Sequence, residues 1–185
     1  MTFWKHSTFT QITPQSTLSE VMALNALSQQ MILLKRGELL EVSSIYDSLQ
    51  PLNSGLGGKL LGGWLSLSEH LQEAEHHLDQ FFERRPLCFN EQSNARADRF
   101  EGLVTRLFAT SVQREFNRLE QATRKVMPAV AELERSLTTG QTPALTAFQT
   151  ERDQLIDNTR ALLVSHVQRL GDTLGTCGLR PGYRS

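Results

Sequence analysis

"LLGGWLSLSEHLQEAEHHLDQF", residues 60–81, is the stretch that decides the fold. Its apolar side chains recur at alternating spacings of four and three residues. That repeat is the heptad pattern of a helix packed lengthwise against a partner helix at a shallow angle. The sequence therefore predicts a long amphipathic helix, with its apolar side buried within the chain or across a dimer. We call its seven apolar residues the heptad seam: Leu60, Trp64, Leu67, Leu71, Ala74, Leu78 and Phe81.

Helical periodicity continues on the N-terminal side of the seam. Thr17 and Glu20 have the spacing of a capping box, in which two side chains each satisfy a free backbone amide at a helix start. Apolar residues follow at helical spacing, so we expect a first helix that reaches about Arg36. Residues 38–49 continue as a second helical piece, which Pro51 ends.

Helical periodicity also continues on the C-terminal side. A long helical region is predicted over residues 94–137, with a kink or break near Met127 because Pro128 lacks the amide hydrogen that a helix interior needs. Thr142 and Pro143 predict the start of a last helix, as N-cap and first helical residue. No stretch alternates as a strand would. We therefore predict an all-α fold, a helical bundle of five or six helices.

The same pattern suggests a division into two helical halves. Residues 1–85 form the N-terminal half and contain a glycine-rich hinge at 53–63. A linker at 86–94 separates them from the C-terminal half, residues 95–174. Residues 175–185 are glycine-rich and basic, so we expect a flexible basic tail.

Composition and charge narrow the functional classes. Hydrophobic residues make up 39% of the 185 residues and charged residues 21%, as in ordinary folded domains. The formal net charge is −1, which lacks the basic excess typical of proteins that bind nucleic acid or anionic membranes. No apolar run is long enough to span a bilayer, and residues 1–11 lack a signal-peptide core. With only two cysteines, expected as free thiols, the predicted location is cytoplasmic.

The glycine-rich stretch "NSGLGGKLLGGW", residues 53–64, invites comparison with a phosphate-binding loop. A P-loop requires the pattern GxxxxGK[ST]. Here Leu60 follows Lys59 where a hydroxyl residue should bind magnesium, and Asn53 stands in place of the opening glycine. The dinucleotide-binding pattern GxGxxG fails as well, since Leu60 occupies the last glycine position. We therefore predict a hinge, with no nucleotide or other cofactor.

A histidine-rich segment within the seam raises the question of a metal site. Glu73 and His76 form an ExxH pair, the spacing that di-iron helical bundles take from each of two helices. The chain contains no second ExxH, and the heptad numbering places both residues on the solvent side. His70 and His77 flank the seam, where metal binding would be adventitious. We predict no metal site and, lacking GxSxG or HExxH, no catalytic residue.

Basic residues gather on one side of the helix predicted from residue 94 onward. At about 100° per residue they fall within about 120° of one another on a helical wheel. Such an arginine stripe could follow a phosphate backbone or an acidic protein surface. Phe100, Leu103 and Leu107 share its arc and favour burial of part of it, with the arginines paired to acids on neighbouring helices. The candidate macromolecule-binding residues are Arg96, Arg99, Arg106, Arg114, Arg118, Arg124 and Lys125, with Arg180 and Arg184 in the tail.

These observations favour a non-enzymatic adaptor or accessory protein that binds another macromolecule, a protein partner or a second copy, through helix surfaces. The alternative is a nucleic-acid-binding accessory protein, of the kind used in DNA replication or by mobile elements, acting through the arginine stripe. An enzyme whose site is spread over distant residues is the third hypothesis.

Overall fold

The computed structural model describes residues 12–83, 85–89, 91–137 and 142–179. Within these ranges the only strand-like pairing is an isolated bridge between Phe89 and Gln92. The predicted all-α helical-bundle class is therefore confirmed, whereas the expectation about residues 1–11 falls outside the described part. The α-helices are α1 (Pro14–Lys35), α2 (Val42–Leu49), α3 (Leu56–Glu83), α4 (Ala95–Leu107), α5 (Gln113–Ser136) and α6 (Pro143–Gly175).

The chain divides into two compact units that each combine segments distant in sequence. Unit 1 contains Met1–Gly63 and Asn117–Asp153, and unit 2 contains Trp64–Phe116 and Gln154–Ser185. Helices α3, α5 and α6 contribute residues to both units. Residues 86–94, predicted as a linker, belong to unit 2, and Leu87 and Cys88 are buried there.

Helix α1 begins earlier than the sequence analysis predicted. Thr13 is its N-cap: the Thr13 hydroxyl accepts the Ser16 amide at 3.1 Å, and the Ser16 hydroxyl accepts the Thr13 amide at 3.0 Å. Pro14 then occupies the first helical position, where its missing amide hydrogen costs nothing. The capping box predicted at Thr17 and Glu20 is wrong, because both residues are buried within α1. The helix ends at Lys35, as expected.

The heptad seam on α3 is core along only part of its length. Leu60, Leu67 and Leu71 are buried, and Trp64 is fully enclosed with its ring edge-on to Phe116 at 5.9 Å. Further along the helix Ala74 and Leu78 are half-buried, and Phe81 is 38% exposed. The repeat therefore predicted the helix and its buried side correctly, but the packing loosens toward the C-terminal end of α3.

The long helical region predicted at 94–137 is present and contains an irregularity that the sequence did not predict. Asn94 caps α4 by accepting the amides of Arg96 and Ala97. Phe108–Val112 then form a π-helical turn, in which amides bond five residues back, before α5 continues. Helix α5 passes through Pro128 without ending there, although proline lacks the amide hydrogen and its ring crowds the carbonyl four residues back. The break predicted near Met127 is thus absent, the kink there stays a prediction, and the α-helical hydrogen bonding is interrupted at 108–112 instead.

The last helix begins and ends with identifiable caps. The Thr142 hydroxyl accepts the Leu145 amide at 3.2 Å, so the predicted N-cap is confirmed, with Pro143 as the first helical residue. At the other end the Leu179 amide bonds to the Leu174 carbonyl at 3.1 Å. Gly178 makes this turn with φ of +68°, a left-handed conformation that favours glycine. Of the predicted tail, residues 180–185 lie outside the described part of the chain.

A disulfide bond joins Cys88 to Cys177 and corrects the expectation of free thiols. The two Cα atoms are 5.3 Å apart, although 89 positions separate the residues in sequence. Both cysteines are buried in a small core with Leu87, Ala97 and Leu174. The bond therefore fixes the turn after α6 against the segment between α3 and α4. Two cysteines this far apart give no sequence signal of pairing, because only the fold brings them together.

Candidate interaction surfaces

The glycine-rich stretch forms the N-terminal end of α3, and its amides are used within the chain. Gly55, with φ of +65°, ends a short 3₁₀ turn, and α3 begins at Leu56. The Glu20 carboxylate of α1 accepts the Gly57 amide at 3.0 Å. A Cβ atom at Gly57 would lie 3.4 Å from that oxygen. The Gly57 amide in the first turn of α3 is thus bonded to a carboxylate of the same chain.

Glu20 is held in an unusual environment for an acid. Burial raises its pKa above the ordinary value of 4.5, although hydrogen bonds from Gly57, Ser54 and Leu56 and the charge of Lys59 act in the opposite direction. A buried carboxylate at a helix N-terminus is favoured by the helix dipole. Glu20 therefore connects α1 to α3 within unit 1. Residues 56–63 are helical, and the hinge proposed for this stretch stays a prediction.

The histidines of α3 interact mainly with nearby side chains and backbone. His77 lies 3.7 Å from Glu73, and both side chains are exposed. The Nδ1 atom of His70 donates to the Ser66 carbonyl at 2.6 Å, and His76 lies 2.9 Å from the amide of Gln80. Among the described residues, no group of three or more histidine, cysteine or acidic side chains could hold a metal ion.

An ion-pair cluster in unit 2, which the sequence analysis missed, joins α3 to α6. Glu75 accepts hydrogen bonds from both His166 and Arg169, and Arg169 also pairs with Asp79. His166 is buried, while the acids are partly exposed. Burial alone would raise the pKa of Glu75, but the hydrogen bonds and charges of His166 and Arg169 outweigh it and lower the pKa below 4.5. The cluster is therefore a structural contact that favours the ionised carboxylate.

This lowered pKa predicts a specific loss of stability in acid. The Glu75 carboxylate binds a proton less readily in the folded protein than in the unfolded chain. Its contribution to the free energy of unfolding is therefore complete above the pKa of the unfolded chain, and it is lost as the pH falls through the lower pKa of the folded protein. We expect the free energy of unfolding to fall less steeply between about pH 6 and 3 in Glu75→Gln than in the unchanged protein. Urea unfolding across this range measures the difference. Asp157→Asn, at an exposed acid, is the control, and equal pH slopes for all three proteins would contradict the assignment.

The arginine stripe is partly engaged within the chain. Arg96 donates to the Phe81 carbonyl at 3.2 Å and lies over the Phe81 ring at 4.2 Å. Arg124 pairs with Glu120 at 2.7 Å. Arg96 and Arg118 are half-buried, whereas Arg99, Arg106, Arg114, Arg124 and Lys125 are exposed. Arg180 and Arg184 lie outside the described residues.

Two assumptions behind the stripe need correction. The π-helical turn at Phe108–Val112 advances by a smaller angle per residue than an α-helix, so one constant rotation does not describe positions on both sides of it. Leu103 and Leu107, expected to be buried with part of the arc, are exposed. Phe100 is half-buried, with its ring stacked on Phe81 at 5.8 Å.

Helix α2 has its polar side turned inward. Ser48 is buried and Ser44 half-buried, and the side-chain amide of Gln30 in α1 donates to the Ser44 carbonyl at 2.9 Å and to the Ser48 hydroxyl at 3.0 Å. These bonds attach α2 to α1 through polar groups. An amphipathic helix normally packs its apolar side against the rest of its domain. In α2 most of the apolar side is instead exposed to solvent.

The outward side of α2 carries three of its four apolar residues, while the fourth, Ile45, is half-buried. Val42 is 67% exposed, Tyr46 69% and Leu49 42%. At about 100° per residue these three positions fall within about 60° of one another, opposite Ser44 and Ser48. The fully exposed Leu39 lies just before the helix. We call Leu39, Val42, Tyr46 and Leu49 the α2 apolar face; the last three recur in the sequence at i, i+4 and i+7.

Acidic residues lie next to the α2 apolar face in the sequence. Glu38, Glu41 and Asp47 are all exposed. No lysine or arginine occurs between residues 38 and 58. The surface therefore combines an apolar strip with a negative margin, and differs from the basic stripe that the sequence analysis singled out.

An open groove lies in unit 2 where α3 ends and α4 begins. It has a volume of about 400 Å³ and is lined by His77, Gln80, Phe81, Arg85 and Arg96. Arg85 lies over the Phe89 ring at 5.8 Å, as Arg96 does over Phe81. Sequence reasoning singled out Arg96 but not Arg85, whose neighbourhood depends on the fold.

Comparison with known proteins assigns the chain to a family. Residues 2–181 match the family model described as "Protein of unknown function (DUF3080)". The match covers nearly the whole sequence, so the chain belongs to this family. Neither curated proteins nor solved structures gave a match. Within the described ranges, no helix has the length and apolarity that crossing a bilayer requires.

Proposed function

We propose that this member of the DUF3080 family is a non-enzymatic binding protein whose α2 apolar face docks onto another protein. The observation that carries the proposal is the inverted packing of α2, with serines toward α1 and Val42, Tyr46 and Leu49 toward solvent. Leaving such a side in water forgoes roughly 25 cal/mol of stabilisation per Å² of apolar surface. A helix whose apolar anchors recur at i, i+4 and i+7 suits insertion into a hydrophobic groove.

The acidic residues beside the α2 apolar face indicate what kind of surface its partner should have. Glu38, Glu41 and Asp47 favour an apolar groove with basic residues along its rim, because complementary charge steers association and fixes orientation. Self-association through the same face would bring these acids of two copies together, which costs free energy. Of the two options that the sequence left open, a protein partner or a second copy, we therefore favour a different protein.

Nucleic-acid binding through the arginine stripe ranks behind this proposal. Arg124 is paired with the Glu120 carboxylate, so the stripe offers less positive charge to a chain of phosphates. The net charge of −1 also gives little general attraction to a polyanion.

We also propose an oxidising compartment in place of the cytoplasmic location expected from the sequence. The expectation rested on free thiols, and Cys88 and Cys177 are instead paired. Disulfides persist in secreted, periplasmic and similar surroundings, while cytosolic thiols are kept reduced.

Site-specific photocrosslinking from α2 in the native cell tests the docking proposal. A photoreactive residue at position 46 should yield one discrete protein adduct. The same residue at position 151, an exposed site on α6 in unit 1, should yield none. Equal adducts from both positions would count against a specific face.

A further inference from the structure

The groove at the end of α3 has a chemistry that the protein-docking proposal does not use. Two guanidinium groups, of Arg85 and Arg96, and the imidazole of His77 line it, together with the amide of Gln80. In the part of the chain that the structure describes, neither arginine forms an ion pair with a carboxylate. The groove therefore gathers hydrogen-bond donors and positive charge, with no acid paired to either guanidinium.

Each of the two arginines lies over an aromatic ring. Arg96 lies 4.2 Å from the centre of the Phe81 ring and donates to the Phe81 carbonyl, while Arg85 lies 5.8 Å from the centre of the Phe89 ring. Stacking on a ring orients the planar guanidinium and leaves its edge donors available. Less side-chain entropy is then lost when a ligand binds.

The backbone that carries Arg85 is also fixed. The Asn94 side chain donates to the Leu87 carbonyl at 2.9 Å, and the disulfide holds Cys88. Asn94 is at the same time the N-cap of α4, the helix on which Arg96 lies. The segments that carry the two arginines are therefore both linked to the same small core.

We propose that this groove binds an oxyanion, a carboxylate or phosphate group of a small molecule, between Arg85 and Arg96. Guanidinium groups bind such groups through paired, charge-assisted hydrogen bonds. His77 and Gln80 supply further donors, and Phe81 provides an apolar surface beside them. The site is separate from the α2 apolar face, which lies in unit 1, whereas all of the groove residues belong to unit 2.

Calorimetric titration of the full chain with inorganic phosphate and, separately, with citrate tests this proposal. We expect saturable binding of at least one anion, weakened about tenfold by Arg85→Gln, since a charge-assisted pair is lost. Arg99→Gln, which removes the same charge from an exposed arginine on α4 outside the groove, should change the affinity by less than about twofold.

The two anions distinguish the two kinds of ligand. Binding of phosphate alone identifies a phosphate group as the ligand, and binding of citrate alone identifies a carboxylate. Arg85→Lys keeps the charge but loses the paired geometry, so its affinity should lie between those of Arg85→Gln and the unchanged protein. Circular dichroism confirms that each variant is folded. Absence of binding by both anions, or equal weakening by Arg85→Gln and Arg99→Gln, would overturn the proposal.

Discussion

Removal of the Cys88–Cys177 disulfide should lower the free energy of unfolding by about 4 to 5 kcal/mol. The bond closes a loop across 89 positions, and the entropy that a cross-link removes from the unfolded chain rises with loop length. Both cysteines are buried, so exchange to serine also places hydroxyl groups in an apolar core. Urea unfolding of the Cys88→Ser/Cys177→Ser variant against the oxidised protein measures the loss.

Reductant provides the internal control for this experiment. It should destabilise the unchanged protein toward the level of the double variant and leave the double variant itself unaffected. Alkylation of protein taken from its native cells without reduction shows whether the compartment is oxidising. Cysteines that are paired there do not react with the alkylating reagent. A stability difference below about 1 kcal/mol, or complete alkylation of both thiols in native protein, would contradict this part of the account.

The exchange Trp64→Ala should cost about 3 to 5 kcal/mol, the range for deleting a large aromatic side chain from a core. Trp64 is fully buried, contacts Phe116 edge-on, and has Arg160 over its ring at 5.5 Å. The structure around such a truncation relaxes only in part, so most of the lost contacts are not replaced. Denaturant unfolding measures the cost.

Phe81→Ala is the matched variant for this prediction, since it removes an aromatic residue from the same heptad seam. Phe81 is partly exposed at the other end of α3, so its removal should cost clearly less than removal of Trp64. Equal losses from the two exchanges would show that the seam is buried evenly, which would contradict the packing described here.

The helices could be predicted because their signals are local. The heptad seam identified α3 and its buried side, and the Thr142–Pro143 pair identified the start of α6. The start of α1 was predicted at the wrong residue because Thr17 and Glu20 have the spacing of a capping box. Both residues lie inside the helix and are buried, so their side chains do not cap it. The π-helical turn was also missed, since Phe108–Val112 contains nothing comparable to a proline as a warning.

The candidate surfaces depend on contacts between residues distant in sequence. The spacing of Val42, Tyr46 and Leu49 predicts an apolar side, but its exposure follows from the bonds of Gln30 to Ser44 and Ser48. The disulfide and the groove likewise arise only when separate segments meet. The sequence favoured pairing of the arginines within the chain, and Arg124 is paired in this way with Glu120.

The central claim, that the α2 apolar face docks onto another protein, is tested most directly by combining a crosslinker at Val42 with the exchange Tyr46→Lys. Tyr46 is 69% exposed, so the exchange should alter stability by no more than about 0.5 kcal/mol. We expect a crosslinker at position 42 to form an adduct between this chain and one molecule of a different protein. The exchange Tyr46→Lys should abolish this adduct although the variant is folded. An adduct that survives Tyr46→Lys, or that has the mass of two copies of this chain, would contradict the claim.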